Sequence, residues 1–262
     1  MLTDAELAEL RRAKALLEDE GLAMKLASYV GRPVEWAVAR LPARAHELLG
    51  KATNAALERA LGVALSTLDA SVAPPPSRWL HRALVTASGA VGGAFGLAAL
   101  AVELPFSTTV MLRSIADHAR AAGEDLSLPE ARLNCLAVFA LGGPSALDDA
   151  DDAGYFAARA ALGRAVSEAS RHVAERGMAS AAERGAPAVV RFLAVIAERF
   201  GVSVSEKAAA QAVPVLGALG GAAINALFIR HFEDLALGHF AVRRLERAHG
   251  ADVVREAYLS IA

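Results

Sequence analysis

Two long stretches without a charged residue constrain the fold of this chain more than any other feature. Residues 83–102 and 208–229 contain 20 and 22 residues, and each is nominally long enough to span a bilayer as a helix. They share a pattern of small residues, GAVGGA at 89–94 and GALGGA at 217–222. Glycines four positions apart give a helix a small face, which lets two helix backbones approach closely. The glycines that we expect to pack in this way are Gly89, Gly92, Gly93, Gly217, Gly220 and Gly221.

The hydropathy of these segments does not decide between a protein core and a membrane. Seven Leu, Val or Phe side chains in 83–102 favour insertion by about 2–4 kcal/mol together, whereas four glycines and the flanking Glu103 oppose it. Three placements stay open: buried helices at the centre of a soluble bundle, helical hairpins that lie on or dip into a bilayer, and true spans. At a membrane, the basic residues expected near lipid phosphates are Arg78, His81, Arg82, Lys207 and Arg230.

The composition predicts an all-α chain. Alanine, the strongest helix former, occupies 62 of the 262 positions, and no alternating apolar–polar run bounded by turn residues indicates a strand. Capping boxes predict three helix starts, with the pairs Thr3 and Glu6, Ser127 and Glu130, and Ser203 and Glu206. We therefore predict a multi-helix bundle with two central apolar helical segments that are rich in glycine and alanine.

Three consecutive prolines at 74–76 mark the clearest boundary in the chain, because they cannot lie inside a helix. They separate a charged N-terminal helical region, residues 1–73, from a more apolar helical body, residues 77–262. Within the N-terminal region, the spacing of apolar residues predicts one helix over 4–29 that is broken at Gly31 and Pro33.

Charge and cysteine content exclude several classes of protein. A formal net charge of −2 gives no basic face for nucleic acid, so we expect no nucleic-acid partner. A single cysteine excludes a disulfide framework. No glycine-rich loop matches a nucleotide motif, and the sequence indicates no cofactor. The first ten residues are acidic and unlike a secretory leader, so we expect a cytoplasmic protein, peripheral to the inner face of a membrane.

A first group of polar candidates surrounds Pro105. We expect Pro105 in the first turn of a helix and Glu103 at the positive end of that helix. Arg113 and Asp117 are four positions apart and can pair on one face. In the alternative, functional interpretation, Glu103 acts as a catalytic base or a ligand beside the apolar segment.

Four aspartates form a second group: Asp148, Asp149, Asp151 and Asp152. Carboxylate oxygens bind Mg²⁺ or Ca²⁺, so Asp148 and Asp152 are candidate metal ligands and Asp149 is a candidate catalytic residue. The segment lacks the glycine and glutamate positions of an EF-hand. The same acids would also favour the dipole of a helix that begins there.

A third group lies on the long helix predicted after residue 225. His239 and Arg243 share one polar stripe and are candidate catalytic residues, and His231 and Asp234, on an adjoining face, are candidate metal ligands. The two histidines are about 12 Å apart along a helix axis, too far to share one ion without bending. The alternative is a buried polar network between helices.

Several blocks of the sequence resemble the EcsC family. They are ELP at 103–105, MLRSIA at 111–116, GEDL at 123–126, NCLAVFALGG at 134–143, PVLGALGGAAIN at 214–225 and HFAVRRLER at 239–247. The family often has Asp where this chain has Glu103. Its founding protein is encoded beside an ABC exporter, so the resemblance implies a transporter-linked or membrane-surface role and supplies no catalytic residues.

Together these features favour a non-enzymatic, membrane-associated helical protein, an accessory to an ABC transporter or to a process at the membrane surface. Its expected partner is a membrane lipid or a membrane transporter. One alternative is a metal-assisted helical hydrolase that uses Glu103, the aspartates and His231 or His239. The other is a soluble interaction scaffold in which the uncharged segments are core.

Overall fold

The chain folds into α-helices. A computed structural model describes residues 2–19, 21–31, 33–68, 97–141, 154–176, 186–212 and 217–261, and no β-strand occurs among them. The helices are α1 (Asp4–Leu17), α2 (Leu22–Val30), α3 (Val34–Val38), α4 (Ala43–Thr67), α5 (Leu97–Ala121), α6 (Pro129–Ala137), a 3-10 turn (Val138–Ala140), α7 (Gly154–Arg176), α8 (Pro187–Gln211), α9 (Gly217–His249) and α10 (Ala251–Ser260). The prediction of an all-α fold is therefore confirmed.

Only the first of the three predicted capping boxes begins a helix as expected. The Thr3 side chain accepts from the Glu6 N–H, and the Glu6 carboxylate accepts from the Thr3 N–H at 2.8 Å. The box at Ser127 is wrong by one residue, because Leu128 is the N-cap of α6 and the Ser127 N–H donates to Asp125. The box at Ser203 is wrong because that residue lies buried within α8.

Two other helix boundaries differ from the prediction. The helix expected over 4–29 is interrupted after Leu17. The next helix, α2, ends at Val30 and is capped by Gly31, whose φ of +71° is the left-handed conformation that glycine adopts most readily. Pro105 lies inside α5 rather than in its first turn. The apolar stretch on its N-terminal side continues the helix through the proline, which removes one backbone donor but not the helical path.

The main core lies between α4, α5, α8 and α9 and includes a cluster of phenylalanines. Phe139, Phe200 and Phe232 meet with ring centroids 4.9–5.5 Å apart, and Phe228 packs against Phe200 and Phe232. Helices from the predicted regions 1–73 and 77–262 contribute to this same core. The division of the chain into these two regions stays a prediction.

The described part of the second uncharged segment lies in this core. Ala208, Ala209, Ala210, Ile224 and Phe228 are all almost completely buried. Of the candidate packing glycines, Gly217 begins α9, and Gly220 and Gly221 are buried in its first turns. Gly89, Gly92 and Gly93 lie outside the described residues. None of the described helices combines the length and apolar character that a membrane crossing requires.

A second, smaller core joins the two ends of the described chain. Leu10 and Ala13 of α1 pack with Leu245 of α9 and Tyr258 of α10. α1 and α9 approach each other closely at Gly238, where an added Cβ would lie 2.7 Å from the Leu17 side chain and 2.9 Å from the Ala13 carbonyl oxygen. Gly238 therefore sets the distance between the two helices.

Candidate functional site

Glu103 is part of a buried ion pair in the middle of the bundle. Lys207 Nζ donates to both carboxylate oxygens at 3.0 Å, and Asn225 Nδ2 donates to Oε1 at 3.2 Å. The three residues come from α5, α8 and α9. All three are less than 10% exposed, and the ammonium also lies 4.8 Å from the centre of the Phe228 ring. The pair therefore ties three helices together through one carboxylate.

This geometry corrects two expectations. Glu103 does not lie at the positive end of a helix, because α5 begins six residues earlier, at Leu97. Lys207 does not lie near lipid phosphates in the folded bundle, since its side chain is completely buried. Burial lowers the pKa of Lys207, and the neighbouring Glu103 carboxylate opposes that shift.

The ion pair also relates the two uncharged segments to one another. Glu103 is the residue that follows segment 83–102, and Lys207 is the residue that precedes segment 208–229. The charges at these two borders therefore neutralise each other inside the protein. Asn225, within the second segment, adds a third polar group to the same contact.

His239 belongs to a different cluster. Its Nδ1 atom lies 2.9 Å from the Tyr155 hydroxyl of α7, and both side chains are at most 9% exposed. Burial, and then the positive charges of Arg159 and Arg243, lower the pKa of His239 well below its usual value. Burial likewise raises the pKa of Tyr155. The imidazole is therefore neutral at pH 7 and hydrogen-bonded to a neutral phenol.

Arginine–carboxylate pairs extend this second cluster along α9. Arg159 of α7 donates to both oxygens of Glu246, at 2.7 and 2.5 Å. Arg243 donates to both oxygens of Glu124, at 2.8 and 3.1 Å, and Arg247 contacts the same carboxylate. Burial acts to raise the pKa of Glu124, but the two arginines outweigh it and the pKa falls below its usual value.

The remaining candidates are placed as follows. His231 is buried against the Phe232 ring. Asp234 is partly buried, and this burial raises its pKa, while the charge of Lys25 on α2 opposes the shift. Asp117 pairs with Arg120 at 2.8 Å, while Arg113 donates to Thr67.

The structure brings no metal-binding set together among the residues that it describes. No three His, Cys, Asp or Glu side chains lie close enough there to hold one ion. Asp148, Asp149, Asp151 and Asp152 lie outside the described residues, and their metal-binding and catalytic roles stay predictions.

Glu103 and His239 lie in separate clusters. The Glu103 partner Asn225 and His239 are 14 positions apart on the same helix, which corresponds to about 21 Å along its axis. The arrangement therefore places two polar contacts at different levels of the bundle rather than one acid–base centre.

Comparison with protein families shows to which family the chain belongs. The sequence pattern of the EcsC protein family matches residues 4–245, which is most of the chain. The chain belongs to the EcsC family. No curated protein and no solved structure matches it. The match begins at residue 4, within α1. It therefore covers the N-terminal region 1–73 almost completely, as well as most of the body 77–262.

The sequence does not predict the partners in these contacts of the EcsC chain. It predicts Lys207 near lipid, and it predicts neither the role of Glu124 nor the buried Ser114–Glu233 hydrogen bond, 2.8 Å long. One signal was available for Lys207, because a basic residue at the border of one uncharged segment and an acidic residue at the border of the other can neutralise each other. Glu124 gave no comparable local signal.

The EcsC chain also exposes an apolar pair on α5. Val102 is 79% exposed and Phe106 is 45% exposed, although both are apolar. They are four positions apart and therefore lie on one face of the helix. Val102 is the last residue of the uncharged segment 83–102, so the exposed face continues the apolar character of that segment.

Proposed function

We propose that this EcsC-family protein is a non-enzymatic helical protein that associates with the inner, cytoplasmic face of a membrane as an accessory to a membrane transporter or another membrane-surface process. The observation that carries the proposal is the exposed pair Val102 and Phe106 beside the first uncharged segment. Exposed apolar side chains on one helix face are a feature of surfaces that contact lipid or protein. The proposal commits to membrane lipid as the first contact.

The charge pattern of the sequence supports lipid as the partner. Arg78, His81 and Arg82 directly precede segment 83–102, so basic groups and apolar groups are neighbours in the chain. Basic residues next to an apolar face favour the anionic surface of a cytoplasmic leaflet. The second uncharged segment supports a surface mode, because its described part already has a buried place in the bundle.

The polar contacts support a structural rather than a catalytic role for the candidate acids and bases. Glu103, Glu124 and Glu246 each accept hydrogen bonds from a basic side chain of another part of the chain. The metal-assisted hydrolase needs Glu103 and a histidine at one place, and no observation favours it. The scaffold alternative predicts a protein that does not bind vesicles.

Vesicle flotation of the full chain tests the proposal. We expect the wild-type protein to float with vesicles of phosphatidylethanolamine and phosphatidylglycerol. The double variant V102E/F106E should float at least tenfold less, because two apolar contacts of about 1.5–3 kcal/mol each are replaced by charges. The control is V190E, which adds one glutamate in place of a half-exposed valine on α8 and should float as the wild type does.

The same experiment has outcomes that contradict the proposal. Wild-type protein that stays at the bottom of the gradient contradicts lipid binding and favours the scaffold. Equal flotation of V102E/F106E and wild type contradicts the assigned surface. Washes with high salt and with alkaline carbonate then separate an electrostatic contact from insertion of the uncharged segments.

A further inference from the structure

Most aromatic side chains in the described part of the chain are buried, and the exceptions are informative. Three Trp, Tyr or Phe side chains are exposed there: Tyr29, Trp36 and Phe106. Phe106 belongs to the pair on α5 described above. Tyr29 and Trp36 are only seven positions apart, on α2 and α3, and these two helices contact each other. The other two exposed aromatic residues therefore come from one short stretch of the chain.

The exposed indole of Trp36 carries a cation. The Arg40 guanidinium lies over the ring, 3.7 Å from its centre, and its Nη1 donates to the Trp36 carbonyl oxygen at 3.3 Å. Trp36 is 53% exposed, and Arg40 is exposed as well. A guanidinium has five N–H donors, so one bond to the backbone leaves donors for an anionic acceptor.

The segment that contains this pair is basic. Residues 26–46 include three arginines and one acid, although the whole chain has a formal net charge of −2. Arg40 and Arg44 are both exposed. The next acid along the chain, Glu47, pairs with Lys51 at 2.6 Å. The surface around Trp36 is therefore aromatic and positive, and its charge is complementary to an anionic partner.

These properties fit the surface of an anionic bilayer better than a protein helix. Tryptophan is enriched at the level of the lipid head groups, and arginine near a membrane is attracted to anionic lipids. The helix that carries Trp36 has five residues. It is too short to offer the repeated positions, i, i+3, i+4 and i+7, at which a partner helix is held.

Trp36 lies toward the end of the bundle at which α5 begins. Arg113 donates to Thr67 and Arg120 donates to the Leu68 carbonyl oxygen, so the end of α4 contacts the second half of α5. Because α4 packs on α5 more than on any other described helix, the two helices run in the same direction. α3 ends four residues before α4 begins. The start of α4, with Trp36 beside it, is therefore on the same side as the start of α5 and its exposed apolar pair.

We propose that Trp36 and Arg40 form a second membrane contact of this protein, in which the indole lies among the head groups and the guanidinium binds the phosphate of an anionic phospholipid. The inference rests on the proposed function, because it requires that the protein reaches a membrane. It adds what the pair Val102 and Phe106 does not supply, a cation for the charge of the lipid.

Tryptophan fluorescence of the full chain tests the contact directly. The sequence has two tryptophans, so W79F leaves Trp36 as the only one. With vesicles of phosphatidylethanolamine and phosphatidylglycerol, we expect the Trp36 emission to shift to shorter wavelength. Bromine atoms on the acyl chains of the phosphatidylglycerol should quench it. If W79F does not fold, the difference between wild type and W36F gives the same signal.

R40A tests the phosphate contact. Loss of one arginine at an anionic surface should weaken vesicle binding about fivefold. The matched control is R11A, which removes the same charge from an exposed position on α1 and should bind as the wild type does. The difference between R40A and wild type should disappear on vesicles in which phosphatidylcholine replaces phosphatidylglycerol, because these carry no net charge.

The outcomes separate this inference from the proposed function. Wild-type protein that floats with vesicles while the Trp36 emission stays unchanged overturns the second contact alone, and this result favours a protein partner for the surface. Wild-type protein that does not float overturns both proposals. Equal weakening by R40A and R11A, or the same loss in R40A on vesicles without anionic lipid, overturns the assigned phosphate contact.

Discussion

The carboxylate of Glu103 and the ammonium of Lys207 are held 3.0 Å apart inside the protein, although 104 positions separate them in the sequence. Each charge would be costly to bury alone, and the pair is tolerated because each supplies the counter-charge of the other. The Asn225 amide satisfies a further carboxylate lone pair. The contact therefore fixes the relative positions of α5, α8 and α9.

Removing one member of this pair should destabilise the protein strongly. We expect K207M to lower the free energy of unfolding by about 3–5 kcal/mol, because it leaves the Glu103 carboxylate buried without a counter-charge. The double variant E103Q/K207M should recover at least half of that loss, since no charge remains and the glutamine oxygen can still accept from Asn225. Urea unfolding measures both. The control is K51M, which breaks an exposed pair with Glu47 and should cost less than about 1 kcal/mol. Equal effects of K207M and K51M would contradict the prediction.

His239 should make the stability of the protein depend on pH between about 6.5 and 5. Burial beside Arg159 and Arg243 lowers its pKa in the folded state, whereas the unfolded chain has the usual value of about 6.5. Below pH 6.5 the unfolded chain therefore binds more protons, and the free energy of unfolding falls as the pH falls, by up to about 1.4 kcal/mol per pH unit. Above pH 6.5 this contribution is constant. Urea unfolding at several pH values should show a shallower slope for H239Q. An unchanged slope in H239Q would refute the assignment.

Gly238 should be intolerant of any side chain. An alanine Cβ would lie 2.9 Å from the Ala13 carbonyl oxygen, a backbone atom that cannot move without shifting α1. We expect G238A to lower the free energy of unfolding by about 1–3 kcal/mol, the cost of overpacking. The helix propensity of alanine acts in the opposite direction. G163A should instead stabilise the protein by about 0.5–1 kcal/mol, because its Cβ meets open space. Thermal unfolding compares the two, and a stabilising G238A would contradict the close approach.

The three predicted capping boxes can be separated by alanine substitution. T3A should destabilise α1 by about 0.5–2 kcal/mol, because the Thr3 side chain accepts from the helix N-terminus. S127A should change stability by less than about 0.5 kcal/mol, since the exposed Ser127 hydroxyl bonds Asp125 rather than the N-terminus of α6, and the backbone N–H bond to the same carboxylate remains. S203A should be neutral or stabilising, because the buried Ser203 hydroxyl has no partner among the described residues. Urea unfolding followed by circular dichroism measures the three changes in the free energy of unfolding. We expect only T3A to be destabilised, and an equal loss in all three variants would contradict the prediction.

The sequence was sufficient for the fold class and for features determined by neighbouring residues. Alanine content and the absence of strand patterns indicated the helices, and the Thr3–Glu6 box was correct because both partners lie within one turn. Pro105 was misplaced because the rule for proline at a helix start is local. The apolar stretch before it, which begins at Leu97, is helical and continues through the proline.

The contacts of the candidate site depended on packing that no local pattern describes. The sequence indicates Glu103 as a polar residue beside an apolar segment, but its partner Lys207 comes from α8 and reaches it only in the assembled bundle. The glycine pattern predicts a close helix approach at residues 217–221. The structure shows one at Gly238, where α9 packs against α1. The distances between side chains on different helices depend on which helices pack together. The local pattern of one sequence does not specify that packing.

The packing of α1 against α9 has a consequence for synthesis on the ribosome. Leu10 and Ala13 share a core with Leu245 of α9 and Tyr258 of α10, and α9 begins at Gly217, about two hundred residues later in the chain. At about 5–20 residues per second, the nascent N-terminal helix waits for roughly 10–40 s before its docking surface has been made. During that interval the apolar face of α1 is without its native cover, so this helix leaves the ribosome long before the surface that secures it.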